Sequence, residues 1–254
     1  MQFAIIIQAR LGSKRLPGKV LKNFKGYNPL IVLISRLQKS KIIKNIIIAT
    51  TKNDKDTKIV NFCKKNSLKF FRGEENDVLG RYYKTATKYK VKNIVRITSD
   101  CPFIDINILD KMILFFKKNK LDYYANTYPE PSTFPDGMDI EIFKYKALKI
   151  SNKLAKNKSE REHVTVFMRQ FKKFKSKRYD QKNNLSKYRL TIDFFKDFKL
   201  FTKIIDHFGE KIFFTSMDDI VKFLSKNQKL INYQKKLIRN QSFYNDLLRD
   251  KLID

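Results

Sequence analysis

Short apolar runs alternate with helix-like segments over the first 118 residues, and this alternation restricts the possible folds most strongly. It predicts strands at 2–8, 45–50, 68–71 and 93–98, with helices at 29–39, 54–66, 77–88 and 105–118. Strands and helices that alternate through short connections predict an α/β fold with a mostly parallel central sheet flanked by helices. In such a sheet, ligands bind at the carboxyl ends of the strands.

The pattern changes after residue 120. The later segments predict strands at 121–126, 138–143, 174–180 and 186–192, with helices at 144–155, 159–170, 195–208 and 217–225. No linker composition or internal repeat divides the chain, so we predict one domain over residues 1–225 with a small inserted lobe within about 121–185. Residues 226–254 predict an amphipathic helical extension.

Charge restricts the class of partner. The 254 residues carry a formal net charge of +30, which is typical of nucleic-acid-binding proteins. The lysines are, however, spread along the whole chain instead of being concentrated in one patch. We therefore expect a small polyanionic substrate, and we do not expect specific nucleic-acid binding. A basic nucleic-acid-binding protein stays as the alternative from another functional class.

The cysteines and the apolar runs indicate where the protein is located. The two cysteines, Cys63 and Cys101, show no metal or redox spacing. The N-terminal apolar run is short and has no basic segment before it, unlike a signal peptide. No apolar stretch approaches the roughly 20 residues of a membrane helix. We expect a cytoplasmic protein with no membrane partner.

The first predicted strand leads into a cationic loop with two glycines. Gly12 and Gly18 permit sharp turns and close approach to a ligand. Four cations lie in the same stretch: Arg10, Lys14, Arg15 and Lys19. Backbone amides and basic side chains in such a loop can bind a phosphate chain. We call residues 8–19 the signature loop.

The signature loop is not a Walker A motif. Five residues separate Gly12 from Gly18, where that motif has four, and Val20 follows Lys19 in place of Ser or Thr. An ordinary β–α connection with solvated charges is the alternative interpretation, since glycine and proline mark ordinary turns too.

Two acidic residues follow apolar runs that end at the same predicted edge of the sheet. Asp100 lies just beyond the strand 93–98, and Asp193 ends the run 189–192. Magnesium is bound by one or two carboxylates together with substrate phosphates. Asp100 could instead cap the helix that begins near residue 105. Asp197, one turn beyond Asp193, is typical of the first turn of a helix.

Five phrases of the sequence resemble, in order, signatures of the cytidylyltransferase family, in particular its SpsF-like branch. They lie at 8–21, 96–102, 137–143, 160–164 and 189–193. More distant relatives of this branch include 3-deoxy-manno-octulosonate and acylneuraminate cytidylyltransferases. The resemblance covers residues 3 to about 200 and implies a Rossmann-like nucleotidyltransferase fold of the GT-A type.

The resemblance implies a reaction and a cofactor. An acceptor oxygen would attack the α-phosphorus of CTP, CMP would pass to a sugar, sugar phosphate or other phosphorylated acceptor, and pyrophosphate would leave. The cofactor would be Mg²⁺, and the expected product is a precursor of a surface polysaccharide or other glycan. A GT-A glycosyltransferase that uses a nucleotide-sugar is the nearest alternative. Relatives commonly dimerise, so we expect a homodimer.

The resemblance also assigns residues. It implies catalytic roles for Arg10, Lys19 and Asp100, and metal ligation by Asp100 and Asp193. The implied nucleotide-binding residues are Gln8, Ala9, Arg10, Leu11, Gly12, Arg15, Lys19, Arg72, Asp77, Thr98 and Ser99. The implied acceptor-binding residues are Asp139, Glu141, Glu160, Arg161 and His163. Ser99 stands where the branch usually has glycine. A single His such as His163 is more often structural.

Overall fold

The computed structural model describes residues 3–128 and 130–251, with only the backbone of Lys251 described. The strands are β1 Phe3–Gln8, β2 Ile46–Thr51, β3 Lys69–Gly73, β4 Asn93–Thr98, β5 Tyr123–Ala125, β6 Glu141–Lys144 and β7 Ser176–Arg178. They form one sheet in the order β3-β2-β1-β4-β6-β5-β7. Strands β1 to β4 pair in parallel, while β6 runs antiparallel to both β4 and β5. The predicted α/β class with a mostly parallel sheet is confirmed.

Helices cover both faces of the sheet. They are α1 Pro29–Leu37, α2 Thr57–Lys65, α3 Val78–Lys88, α4 Ile106–Asn119, α5 Tyr145–Leu154, α6 Lys158–His163, α7 Val166–Gln170, α8 Phe195–Phe208, α9 Met217–Lys226 and α10 Gln241–Lys251. Within the described residues, no helix is long and apolar enough to cross a bilayer.

The central strand β1 divides the core between the two faces of the sheet. Successive side chains of a strand point to opposite faces. Ile5 and Ile7 pack into one buried cluster with residues of α1 and α4, whereas Ala4 and Ile6 pack into another with residues of α3 and α5. Because β1 is buried on both faces, its carboxyl end holds the signature loop in a fixed position.

Two segments differ from the sequence prediction. No strand forms at 186–192, where the backbone makes one bridge, between Arg189 and Asp136. The apolar side chains of Tyr188, Leu190 and Ile192 are nevertheless buried. An alternating pattern indicates which side chains are buried, and this burial does not require strand hydrogen bonds. The predicted helix 159–170 is two helices, α6 and α7, since Val164 has a φ of 62° and breaks it.

Other predicted elements are confirmed with shifted ends. The strands predicted at 121–126 and 138–143 are shorter or displaced, at Tyr123–Ala125 and Glu141–Lys144. The C-terminal extension begins with 3₁₀ turns at Gln228–Leu230 and Asn232–Lys236 and ends in α10. Residues 1–2 and 252–254, which fall in the first and last predicted segments, lie outside the described residues.

Gly137 lets its segment pass close to the backbone of residues 190–191. Its φ is 95°, and a Cβ at this position would lie 2.7 Å from the Leu190 carbonyl carbon and closer still to the Thr191 nitrogen. Gly26 has a similar φ of 86°, but a Cβ there would meet nothing within 4 Å. A substitution at Gly26 would therefore introduce backbone strain alone. A substitution at Gly137 would add a steric clash.

We expect Gly137→Ala to destabilise the protein much more than Gly26→Ala. Left-handed backbone costs about 1–2 kcal/mol for a non-glycine residue. Overpacking at Gly137 adds roughly 1–3 kcal/mol, because neighbouring backbone must move. Urea denaturation of both variants measures the difference in unfolding free energy. Equal losses would show that the approach at Gly137 is not tight.

Candidate functional site

The signature loop leaves β1 and turns back at Gly18, whose φ is 70°. The Gly18 amide donates to the Leu11 carbonyl at 3.0 Å and closes the loop. A short 3₁₀ turn, Lys19–Leu21, begins at the next residue. This turn directs the largely buried Lys19 side chain toward the carboxyl end of β4.

Lys19 joins the two predicted metal ligands. Its Nζ donates to Asp100 Oδ2 at 2.7 Å and to Asp193 Oδ1 at 3.0 Å. Asp100 follows β4, and the segment that carries Asp193 is held beside it because the Ile192 amide donates to the Asp100 carbonyl at 2.9 Å. The structure thus brings together three charged groups that are far apart in the sequence.

Lys19 and Asp100 favour their charged forms. Burial alone would lower the pKa of Lys19, but the Asp100 and Asp193 carboxylates outweigh burial and raise that pKa above its ordinary value. Burial alone would likewise raise the pKa of Asp100, but the Lys19 ammonium lowers it to about 2. At neutral pH the Lys19 ammonium therefore faces the ionised Asp100 carboxylate.

The two carboxylates suit a magnesium site completed by substrate. Oxygens of Asp100 and Asp193 converge on one cationic atom, Lys19 Nζ. Among residues 3–128 and 130–251, no group of three or more His, Cys, Asp or Glu could hold a metal. A two-carboxylate site whose other ligands are phosphate oxygens and water is the arrangement that Mg²⁺ commonly adopts.

A cavity of about 620 Å³, which we call the loop cavity, lies along the signature loop. Its volume is in the range of small-molecule sites. The predicted nucleotide-binding residues Gln8, Ala9, Arg10, Gly12, Arg15, Lys19, Thr98 and Ser99 line it, together with Lys14. The cavity therefore combines Gly12 with the four cations that the sequence predicts to bind phosphates.

Carboxylates hold both arginines of the signature loop in place. Arg10 donates to Glu75 at 3.5 Å and to Glu162 at 3.3 Å. Arg15 donates to Asp193 Oδ1 at 2.7 Å. These arginines remain about two-fifths exposed to the cavity, so both can still bind an anion.

A second cavity of about 420 Å³, which we call the charged cavity, adjoins the loop cavity. Four arginines and several carboxylates line it: Arg15, Arg96, Arg169, Arg189, Asp136, Asp139, Glu141 and Glu162. Asp100 and Asp193 line both cavities. A molecule in one cavity can therefore reach a molecule in the other at these two carboxylates.

Glu141 is the buried counter-ion of two cavity arginines. It pairs with Arg96 and accepts from Arg169 Nη2 at 2.9 Å, from Tyr123 Oη at 2.6 Å and from Thr165 Oγ1 at 2.7 Å. Burial alone would raise the pKa of Glu141, but Arg96 and Arg169 lower it to about 2. Its predicted acceptor-binding role is thus complemented by a structural one.

Arg189 fixes the orientation of Asp193. Its Nη2 donates to Asp193 Oδ2 at 2.7 Å, and the same guanidinium pairs with Asp136 and Asp197. Asp197 also accepts from the amides of Asp193 and Phe194, both at 2.9 Å. The interpretation of Asp197 as a residue of a helix's first turn is confirmed.

Two other predicted acceptor-binding residues line the charged cavity. Asp139 accepts from Arg239 Nη2 at 2.8 Å, and burial raises the pKa of Asp139 to about 6. His163 Nε2 lies 3.0 Å from Asp246 Oδ2. Burial lowers the pKa of His163 although Asp246 opposes this effect.

Five predicted site residues do not line either cavity, and the polar groups of four of them support the fold. Arg72 donates to the carbonyls of Thr51 and Asn53, both at 2.9 Å. Asp77 caps α3 through the Gly80 amide at 2.9 Å and pairs with Arg161.

Glu160 likewise caps α6, accepting from the Asn157 amide at 2.9 Å. Leu11 also lies outside both linings, and its amide donates to Asp56 Oδ1 at 2.7 Å. These five residues lie outside the linings of both cavities, and direct ligand contact by them stays a prediction.

The sequence prediction missed several cavity residues. Arg189 and Glu162 lie inside motif phrases, which could have identified them. Asp136, Arg169 and Thr127 carry no such signal, and the Thr127 hydroxyl is buried without a hydrogen-bond partner among the described residues. The polar residues of α10 were missed because a terminal amphipathic segment gives no sign of what it covers.

We expect Glu141→Gln to lower the unfolding free energy by about 3–5 kcal/mol, because Arg96 and Arg169 would lose their shared buried counter-ion. Urea denaturation at pH 7 measures this loss. Glu210→Gln is the matched control at an exposed position, where a change within about 0.5 kcal/mol is expected. Equal stability of the two variants would show that Glu141 is not a required counter-ion.

Asp139 should give stability a pH dependence. Because folding raises the pKa of this carboxyl to about 6, its contribution is fully present below the unfolded pKa of about 4 and is lost as pH rises through about 6. The unfolding free energy of wild type relative to Asp139→Asn should therefore fall between pH 4 and 7. Urea denaturation of both proteins across this pH range tests this prediction. A difference in unfolding free energy that does not change with pH would contradict it.

Comparisons with known proteins agree with this geometry. The sequence profile described as Cytidylyltransferase matches residues 4–246. The spore coat polysaccharide biosynthesis protein SpsF of Bacillus subtilis is 32% identical over 232 residues, which cover 87% of this chain and 93% of that protein.

Solved structures share the fold. A cytidylyltransferase from Leptospira borgpetersenii serovar Hardjo-bovis superposes with a TM-score of 0.86 at 36% identity, covering 94% of this chain and 99% of that one. The structure of CMP:2-keto-3-deoxy-manno-octonic acid synthetase complexed with CTP has a TM-score of 0.61 at 13% identity, covering 82% and 99%, and shows the common fold. The chain described here belongs to the cytidylyltransferase family.

Proposed function

We propose that this chain is a Mg²⁺-dependent cytidylyltransferase that transfers CMP from CTP to a small anionic acceptor and releases pyrophosphate. One observation carries the proposal: the loop cavity and the charged cavity meet at Asp100 and Asp193. A reaction between a nucleotide in one cavity and an acceptor in the other would take place at these carboxylates.

The loop cavity suits the triphosphate of CTP. Arg10, Lys14, Arg15 and Lys19 supply positive charge from one loop, as phosphate recognition requires. Support for CTP comes from the family and from the related synthetase, whose structure contains CTP. At 13% identity that structure supports a common fold, and nucleotide choice in this chain is part of the proposal.

Asp100 and Asp193 would hold Mg²⁺ together with phosphate oxygens. The metal, when bound, would neutralise charge on the reacting phosphate groups. Lys19, which contacts both carboxylates here, would then be able to turn its ammonium toward phosphate. Arg189 keeps Asp193 in position through Nη2.

The reaction needs positioning and charge stabilisation more than covalent chemistry. An acceptor oxygen attacks the α-phosphorus of CTP, a new O–P bond forms, and the bond from that phosphorus to the bridging oxygen of pyrophosphate breaks. A hydroxyl acceptor also gives up its proton, which passes to water. Lys19 and Arg10 would stabilise the charge that shifts onto the leaving pyrophosphate.

The charged cavity would bind the acceptor. Carboxylates hold its arginines in fixed positions, as Glu141 holds Arg96 and Arg169, and fixed guanidiniums suit recognition of an anionic group. Asp139 and His163 would contact polar groups of the same molecule. The Bacillus subtilis relative acts in spore coat polysaccharide biosynthesis, and we propose a sugar, sugar phosphate or other phosphorylated acceptor for this chain too.

The alternatives have less support. Family membership favours nucleotidyl transfer over a GT-A glycosyltransferase and over a nucleic-acid-binding protein. Homodimerisation and cytoplasmic location stay predictions.

We expect Asp100→Ala to abolish most of the additional stabilisation by CTP that depends on Mg²⁺, because one of two carboxylate ligands is lost. Thermal shift with CTP, UTP, GTP and ATP, each with and without Mg²⁺, measures this and tests the base. Asp218→Asn, an exposed carboxylate on α9, is the control and should behave as wild type. Where turnover can be followed, Lys19→Ala should lose at least ~100-fold in rate.

No shift of wild type with any nucleoside triphosphate would contradict the proposal. A larger shift with a nucleotide-sugar would favour the glycosyltransferase instead.

A further inference from the structure

The C-terminal helix α10 turns polar side chains toward the loop cavity. Gln241, Ser242, Asn245, Asp246 and Arg249 all line it. Their spacing places them on one face of the helix. This face comes from a segment that lies outside the signature loop and outside every motif phrase.

The α10 helix follows the usual pattern of a surface helix only in part. Such helices usually turn an apolar face inward and a polar face to solvent. Phe243 and Leu247 are half-buried, whereas Leu248 and Tyr244 are exposed, at 61% and 40%. The polar side chains that line the loop cavity, apart from Asp246, are also exposed. A polar ligand in the loop cavity would contact these side chains.

Two residues of the polar side dock α10 on α6. Asp246 contacts His163 at 3.0 Å, and Asp250 Oδ2 accepts from the Ser159 amide at 3.0 Å. The Phe243 ring meets the edge of the His163 ring, with centroids 5.2 Å apart. The docking does not use the Arg249 guanidinium or the Asn245 amide nitrogen, although Asn245 Oδ1 accepts from Gln241 Nε2 at 3.1 Å.

The segment that leads to α10 is also tethered. Arg239 donates to the Phe134 carbonyl and to Asp139, both at 2.8 Å. Asn240 donates to Glu130 Oε1 at 2.7 Å. These bonds fix the start of α10 beside the charged cavity, so the helix is held at both of its ends.

Arg249 is suited to bind phosphate. Its side chain is 66% exposed, and the bond from its Nη1 to Asp246 Oδ1 is long, at 3.3 Å. An exposed pair of this kind contributes little to stability, whereas a phosphate group can accept two parallel bonds from arginine. Lys158, for which the described residues show no ion pair, lines the same cavity and adds positive charge.

We propose that α10 forms part of the nucleotide site and that Arg249 binds the triphosphate of CTP. This inference rests on the proposed function, because it assumes that the loop cavity takes CTP. The nucleotide would then be bound by two separate parts of the chain, the signature loop and the C-terminal helix. Binding of CTP would hold α10 against the body of the protein.

Calorimetric titration with CTP and with CMP, both with Mg²⁺, tests the role of Arg249. We expect Arg249→Gln to weaken CTP binding about 10-fold or more and CMP binding much less, because CMP lacks the outer phosphates. Lys235→Gln is the matched control: it removes one charge from the same C-terminal segment, is exposed and lines neither cavity. It should bind both nucleotides as wild type does.

Hydrogen exchange of wild type gives a second measurement that requires no substitution. Saturating CTP should slow exchange of amides in 241–251 about 10-fold or more. Wild type that binds CTP without this protection, or Arg249→Gln that binds CTP as Lys235→Gln does, would overturn the inference and leave the proposed function standing. Wild type that binds no CTP would overturn both.

Discussion

The contact of the Lys19 ammonium with two carboxylates is the interaction on which the site depends. It joins the signature loop to the end of β4 and to the segment before α8. Lys19 and Asp100 remain charged because each offsets the cost of burying the other. The same convergence of carboxylates would form the metal site, and it marks the point at which the two cavities meet.

Charge compensation continues outward from this contact. Arg189 joins Asp193 to Asp136 and Asp197, and Glu141 joins Arg96 to Arg169. Paired charges of this kind hold guanidiniums in fixed positions at the edge of a cavity. A net charge of +30 is therefore a poor guide to the site, where carboxylates balance most of the cations. The general excess of lysine acts at longer range, as an attraction for anionic substrates.

The C-terminal helix α10 forms part of the wall of the loop cavity. The signature loop and strand ends alone would leave the loop cavity open on the side where α10 lies. With α10 docked on α6 through Asp246 and Asp250, polar side chains close that side. The N-terminal and C-terminal parts of the chain thus meet at one cavity, although only the first carries recognisable motifs.

The sequence by itself determined the parallel sheet, the signature loop, and the carboxylates at Asp100 and Asp193. Periodicity and position at strand ends are local properties, and parallel strands bring their carboxyl ends to one edge. Tertiary structure alone decided the rest: that Glu141 is a buried counter-ion, that Asp77 and Glu160 cap helices, and that α10 lines the cavity. These roles depend on which groups meet across long separations, and no local pattern encodes that.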